Sequence, residues 1–226
     1  MGKTIILSLG GSIIVPQEID VAFLRKFRQE ILKFVKKGNR AVIVCGGGST
    51  NKNYNAAAKS IANPFPIDID WLGISATKLN AELLRAVFGK LAYETVVSNP
   101  TEKIKTGKRI IIASGWKPGW STDYDAALLA VNFRTKTVVN LTNIDHVYDR
   151  DPGKYPKARK FSYLSWKQYL SIVGEKWSPR MHSPFDPMAS KLCMRKNISV
   201  HIAKGTIENI RKILAGKEVK GTVISN

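Results

Sequence analysis

The sequence is poor in cysteine, histidine and acidic residues, and each shortage excludes something. Two cysteines, Cys45 and Cys193, are too few for a disulfide framework, which points to a reducing compartment and a cytoplasmic protein. The three histidines, His146, His182 and His201, are scattered, and no Cys/His cluster with zinc spacing exists, so no protein-held metal is expected. No apolar stretch approaches the roughly 20 residues that cross a bilayer. The run after Met1 (MGKTIILSLGGS) is too short for a signal-peptide core and has no small-residue cleavage site behind it, so no membrane partner is expected. Two common phosphate signatures are missing as well. There is no G-x-x-x-x-G-K-[ST], which excludes a P-loop kinase, and no G-x-G-x-x-G, which argues against a dinucleotide-binding first turn.

Acidic residues number 17 against 36 Lys and Arg, a net charge of +19. A positive field of that size favours anionic partners: nucleotides, acidic surfaces or nucleic acid. Most of the excess is dispersed, with a local concentration at Lys154, Lys157, Arg159 and Lys160. A dispersed excess reads more readily as a solvated surface than as a binding site, so nucleic-acid binding is compatible with the charge but not favoured.

What is present is an ordinary globular composition, 44% hydrophobic and 23% charged over 226 residues, enough for one domain with a full core. Thr4–Leu9 and Ala41–Cys45 are continuous apolar runs of strand length. Further strands are expected at Ala92–Val97, Arg109–Ala113, Thr137–Leu141 and Ser199–Ile202. Between them apolar residues recur at helical period. One helix is capped by Asp20, carries Leu24, Phe27 and Ile31, and stops at Gly38-Asn39. Others are expected from Gly48 through Lys59, from about Trp71 to Gly89, and at Asp123–Val131, Trp166–Ile172, Pro187–Lys196 and Ile207–Leu214. This alternation predicts an α/β fold, a three-layer sandwich whose central, mostly parallel sheet is covered by helices on both faces.

In such sheets ligands bind beyond the carboxyl ends of the strands. Four strand ends carry small or polar residues: Gly10-Gly11-Ser12, Gly46-Gly47-Gly48, Ser114–Gly119 and Thr142-Asn143. Glycine at a strand-to-helix junction lets backbone N–H groups reach an anion, and the helix N-terminus adds its positive end. A tight turn needs glycine anyway, so one such loop says little. Two glycine clusters suggest two anionic groups facing one another, as a phosphoryl donor and a phosphorylated acceptor would.

These loops, together with Asp70–Ile74, Lys117–Asp123 and the ordered string Leu141–Pro152 (LTNIDHVYDRDP), resemble the amino acid kinase family, and within it the UMP kinases of the shorter archaeal type. The resemblance runs from Lys3 to about Ile224. It implies transfer of the ATP γ-phosphoryl group to UMP, with Mg²⁺ accompanying ATP, in a homohexamer built from dimers. It implies an acceptor side over residues 1–140 and an ATP side over 141–226. Gly10, Gly11, Ser12 and Gly48 match the ATP-phosphate loop, and Thr142, Asn143, Tyr148 and Asp151 match the adenosine-binding positions. Gly46 and Gly47 match the contacts to the UMP phosphate, Asp70 those to its ribose. Trp116, Lys117, Pro118, Gly119, Trp120, Ser121 and Thr122 match the loop over the uracil. Lys52 stands where the family has an arginine, exchanging a fork for a point charge. Lys191 matches a lysine near the γ-phosphate, and Asp186 is placed to orient it.

Several of these residues also have plain structural readings. Asp70 suits a helix N-cap before Trp71, Trp116 and Trp120 either stack on a base or fill the core, and Lys191 suits a solvated helix. Two departures stand out: Ser8 replaces a lysine common in the family's first strand, and His146 replaces a glycine. An acceptor other than UMP (a carboxylate, carbamate or isoprenoid phosphate) and a non-catalytic nucleotide- or RNA-binding member are the alternatives.

Overall fold

The computed structural model describes residues 2–174 and 183–226; His182 lies outside them. β1 (Thr4–Leu9) and β2 (Arg40–Cys45) are buried at every position after the first, as expected of strands covered on both faces. They pair in parallel with each other, β1 also with β4 (Thr137–Thr142), and β2 with β3 (Ile110–Ala113). β8 (Ser199–Lys204) continues the parallel set beside β4. Beyond it β9 (Gly221–Ser225) runs antiparallel to β8, and β7 (Tyr163–Ser165) closes that edge, giving the order β3-β2-β1-β4-β8-β9-β7. A separate hairpin pairs β5 (Val147–Tyr148) with β6 (Lys160–Phe161).

One face is covered by α2 (Val21–Lys36), α4 (Pro66–Phe88) and α8 (Ile207–Leu214), which bury Phe27, Ile31, Leu84 and Ile210 against the sheet. The other carries α5 (Thr122–Asn132), α6 (Trp166–Val173) and α7 (Pro187–Lys196) over a cluster that includes Trp166, Tyr169 and Phe185. Short α1 (Gly11–Ile14) follows β1, and α3 (Gly48–Ile61) follows β2. Asp20 caps α2, its carboxylate accepting the Phe23 N–H at 2.8 Å, and Gly38 ends it at φ +86°.

Two expectations need correction, and two strands were not foreseen. Ala92–Val97 is not a strand: only isolated bridges from Ala92 to Ile110 and from Val97 to Ala113 form, because that segment lies at the sheet edge beside the short β3. The long helix starts at Pro66, so Asp70 sits within it and is not its N-cap. Strands β7 and β9 were not legible as apolar runs, since each has only alternate residues buried. Among the described residues no helix is long and apolar enough to cross a membrane.

The floor beneath α7 hangs on one hydroxyl. Tyr169 Oη donates to the Phe185 carbonyl at 2.6 Å and accepts the Phe185 N–H at 2.7 Å, all of it buried. Tyr169→Phe strands both backbone groups, and urea denaturation is expected to show a loss of about 2 kcal/mol with an unchanged slope.

Candidate active site

β1 and β2 are neighbours, so their glycine turns emerge side by side. A side chain on Gly11 would collide with the backbone of Gly46 and Gly48, and one on Gly46 with the backbone nitrogen of Gly11. Gly48 also holds φ +61°, in the left-handed region. The turns therefore touch backbone to backbone, and only glycine permits it. Gly11 and Ser12 open α1, and Gly47 and Gly48 lead into α3, where amides lack intrahelical carbonyls. One of the α3 amides is already used: Ser49 N–H donates to Val15 O at 3.0 Å.

Helix α4 fixes these loops from the side. Asn80 Nδ2 donates to Gly46 O at 2.8 Å and to Gly47 O at 3.1 Å. Thr77 Oγ1 accepts the Gly115 N–H at 2.9 Å, and Asp70 Oδ2 accepts the Gly119 N–H at 2.8 Å. Asp70, Thr77 and Asn80 lie seven and three residues apart, close to one helical stripe. Sequence reasoning found Asp70 and missed Thr77 and Asn80. The available signal was polar residues placed between Ile74 and Leu84 on a stripe otherwise facing the core.

In the loop that Asp70 holds, the Lys117 ammonium lies 4.2 Å from the Trp116 ring centre and 4.5 Å from that of Trp120. Trp120 in turn meets Tyr124 edge-on at 4.4 Å. Both tryptophans are half-buried and belong to neither core cluster, so the core-filling reading fails and a cation–π cage takes its place. Pro118 and Gly119 form the tip. Ser121 caps α5 through the Tyr124 N–H at 3.2 Å, and Thr122 is the helix's first residue.

At the carboxyl end of β1 the Ser8 hydroxyl donates to Asp123 Oδ1 at 3.1 Å. Asp123 Oδ2 accepts the Asp186 N–H at 3.2 Å, while Asp186 caps α7 through Met188 and Ala189. Asn140, opposite Ser8 in the sheet, donates to Pro184 O at 2.7 Å. Asp123 is a third residue that sequence reasoning missed, although it ends the Lys117–Asp123 segment. Burial first, and then the Asp186 charge, push its carboxyl up to about 7, against the pull of the Asp186 N–H and the Ser8 hydroxyl. Part of Asp123 stays open to the cleft, so solvent tempers the shift. Asp125, one turn into α5, is fully buried, and burial raises it to about 8. The Trp116 N–H offsets this only in part, being too poorly aligned for a regular hydrogen bond, and neither carboxylate oxygen has one.

Across the cleft a cavity of about 670 Å³ is lined by Thr142, Asn143, Tyr148 and Asp151. Ile172, Val173, Ser183 and Pro184 also line it; nothing in the local sequence marked them. Tyr148 Oη donates to Asp145 Oδ1 at 2.8 Å. Partial burial works against Asp145 ionising, yet Tyr148 and His146 hold its carboxyl below the usual range. Lys191 stands half-buried on α7, five residues past Asp186, and Lys52 is exposed in the second turn of α3. Among the described residues no three His, Cys, Asp or Glu converge on a metal position.

Residues 3–204 match the model of the amino acid kinase family. The chain belongs to that family. It is 36% identical over 224 residues to a uridylate kinase of Pyrococcus abyssi, covering 97% of this chain and 98% of the relative. To the uridylate kinase of Methanoregula boonei it is 34% identical, covering 99% and 96%. The crystal structure of the Archaeoglobus fulgidus uridylate kinase superposes with a TM-score of 0.84 at 33% identity, over 99% of this chain and all of that one. The family fold thus accounts for the sheet order, and the site is where this chain shows its own choices.

The buried acids set a pH dependence. A carboxyl whose folded pKa lies above its unfolded value near 3.8 keeps more protons folded than unfolded. Stability therefore falls as pH rises between the two values and stays low above the upper one. Asp125→Asn removes that slope. Thermal or urea unfolding of the variant at pH 8 is expected to show a gain of about 1–3 kcal/mol over the parent, shrinking towards zero near pH 4.

Proposed function

We propose that the chain is a phosphotransferase that moves the γ-phosphoryl group of ATP to UMP, giving ADP and UDP. The observation that carries this reading is the contact of the two glycine turns between the Thr142–Asp151 cavity and the loop tethered by Asp70. With no side chain between the turns, two phosphate groups could meet there in line. The uridylate kinases similar to it over nearly its whole length support the choice of acceptor.

On this reading residues 141–226 bind ATP, with adenosine against Tyr148 and its phosphates over Gly10, Gly11, Ser12 and Gly48. Residues 1–140 bind UMP, its phosphate at Gly46 and Gly47 and its ribose at Asp70, a natural acceptor for paired hydroxyls. The Trp116–Thr122 loop covers the uracil. Phosphoryl transfer asks for alignment and for stabilisation of charge spreading over the moving group. Backbone amides of the glycine turns supply fixed dipoles, and Lys191 and Lys52 supply charge. Both Asp123 oxygens and Asp186 Oδ1 already accept from Ser8 and backbone amides; Mg²⁺ carried on the ATP phosphates would neutralise part of their charge. The enzyme works in the cytoplasm, where ATP is abundant and its free Cys45 and Cys193 stay reduced.

A coupled ADP-release assay with UMP, CMP, carbamate, a small carboxylate and an isoprenoid phosphate tests the acceptor. UMP is expected to give the highest kcat/KM, and turnover of another acceptor without UMP turnover would overturn the proposal. Asp70→Asn is expected to raise the KM for UMP about tenfold, the loss of one charge-assisted hydrogen bond, with the KM for ATP unchanged.

Self-association belongs to the same reading. Helix α3 buries none of its residues, and together with the start of α4 it exposes Tyr54, Ile61, Phe65, Ile67 and Trp71. Exposed large apolar side chains on adjoining helices suit a protein contact, and on this reading the hexamer, a trimer of dimers, uses them. Phe65, 75% exposed, is the residue to change. Light scattering after size exclusion is expected to report a hexamer for the parent and a smaller species for Phe65→Glu; an unaltered mass would remove this face from the assembly.

A further inference from the structure

A second cavity, of about 690 Å³, shares no residue with the one assigned to adenosine. It lies under the turn between α8 and β9, on the half of the sheet face that α8 leaves uncovered. Lys3, Lys212, Lys217 and Lys220 line it, with His201 from the middle of β8 and His146 at its upper end. Glu218 is the only carboxylate in that lining. Glu208, nearby, is engaged by Lys212 at 2.6 Å. Four lysines thus face two carboxylates around one concave space, and the volume suits a ligand of nucleotide size. The excess of positive charge is felt inside the wall. Burial first, and Lys3 second, hold His201 below the ordinary histidine range. An arrangement that penalises its own cations is relieved by a multiply charged anion.

His146 ties this cavity to the other. It is buried, and its Nδ1 lies 3.2 Å from Asp145 Oδ2 without the alignment of a regular hydrogen bond. The other oxygen of Asp145 accepts from Tyr148, whose ring lines the first cavity. One side chain therefore touches the second cavity and, through a single carboxylate, the adenosine wall.

We propose that the cavity beneath the α8–β9 turn is a second anion site for a phosphate chain, whether inorganic or carried by a nucleotide, and that His146 transmits its occupancy to Tyr148. The coupling clause rests on the assignment of the donor cavity; binding itself does not.

The test uses the full chain with its donor site saturated by a non-hydrolysable ATP analogue, titrated calorimetrically with inorganic tripolyphosphate and, separately, with CTP. One equivalent is expected to bind, more weakly at high salt. Equal affinities point to the phosphate chain alone, and tighter CTP binding to a nucleotide. Lys217 and Lys220 are exposed, so Lys217→Ser/Lys220→Ser is expected to fold normally, to bind the ATP analogue as the parent does, and to lose about tenfold or more in tripolyphosphate affinity. No binding once the donor site is filled, or equal binding by the double variant, overturns the site. For the coupling, tripolyphosphate is expected to shift the affinity for the ATP analogue about threefold in the parent and not at all in His146→Ala. An equal shift in both, or none in the parent, overturns the link. Failure of UMP transfer would leave these binding results untouched, so the two proposals fail separately.

Discussion

Everything at the cleft follows from two backbone turns that touch where most proteins would put side chains. Adjacent parallel strands lie about 4.8 Å apart, and their ends stay that close only if nothing projects between them. Gly11, Gly46 and Gly48 meet that condition. The consequence is that these turns cannot be held by their own side chains. They are held from outside, and α4 does it: Asn80 grips the Gly46 and Gly47 carbonyls, while Thr77 and Asp70 grip the next loop along. A rigid rod with three polar side chains on one stripe sets the spacing between two loops that share no strand. Asp70 therefore has a structural duty in the ligand-free protein as well as the acceptor role proposed for it.

A second constraint is electrostatic. With serine at position 8, the carboxylates of Asp123 and Asp186 meet at the end of β1, and Ser8 answers with a hydroxyl in place of a cation. A neutral donor offsets only part of the cost of burying an ionised carboxyl, which is why Asp123 is pushed towards neutrality. Asp125 compounds the strain two residues later, with no well-aligned partner. α5 thus enters the cleft carrying two acids that resist ionisation, and this sets the site against the basic character of the chain as a whole.

How much of this was legible in the sequence depended on the kind of force involved. The central strands and both long helical faces were readable because burial on two sides leaves continuous apolar runs and burial on one side leaves a 3.6-residue period. β7 and β9 were not, because strands with one buried face are short alternations easily taken for loop. The glycine turns were readable as turns, but their mutual contact was not, since it depends on strand order. Thr77, Asn80 and Asp123 were missed for one reason: a buried polar side chain is identified by its partner, and the partners lie 38, 34 and 115 residues away. The cage of Trp116, Lys117 and Trp120 was half legible, as aromatics in a glycine-rich loop.

The strand order also explains why His146 matters where a glycine would not. β4 lies next to β1, so the turn after β4 opens onto the same cleft as the glycine loops, while β8 and β9 beyond it carry the sheet into the half that α8 leaves bare. A residue four positions past the end of β4 stands at the border between the two regions. Glycine there would leave them as separate surfaces. An imidazole, buried and pressed against Asp145, joins them, and because Asp145 also holds Tyr148, any shift in the ring changes the carboxylate that orients the tyrosine. Interaction at that distance needs no large motion. Both of its steps run through short polar contacts in a partly buried setting, where electrostatic interactions are felt more strongly than in water.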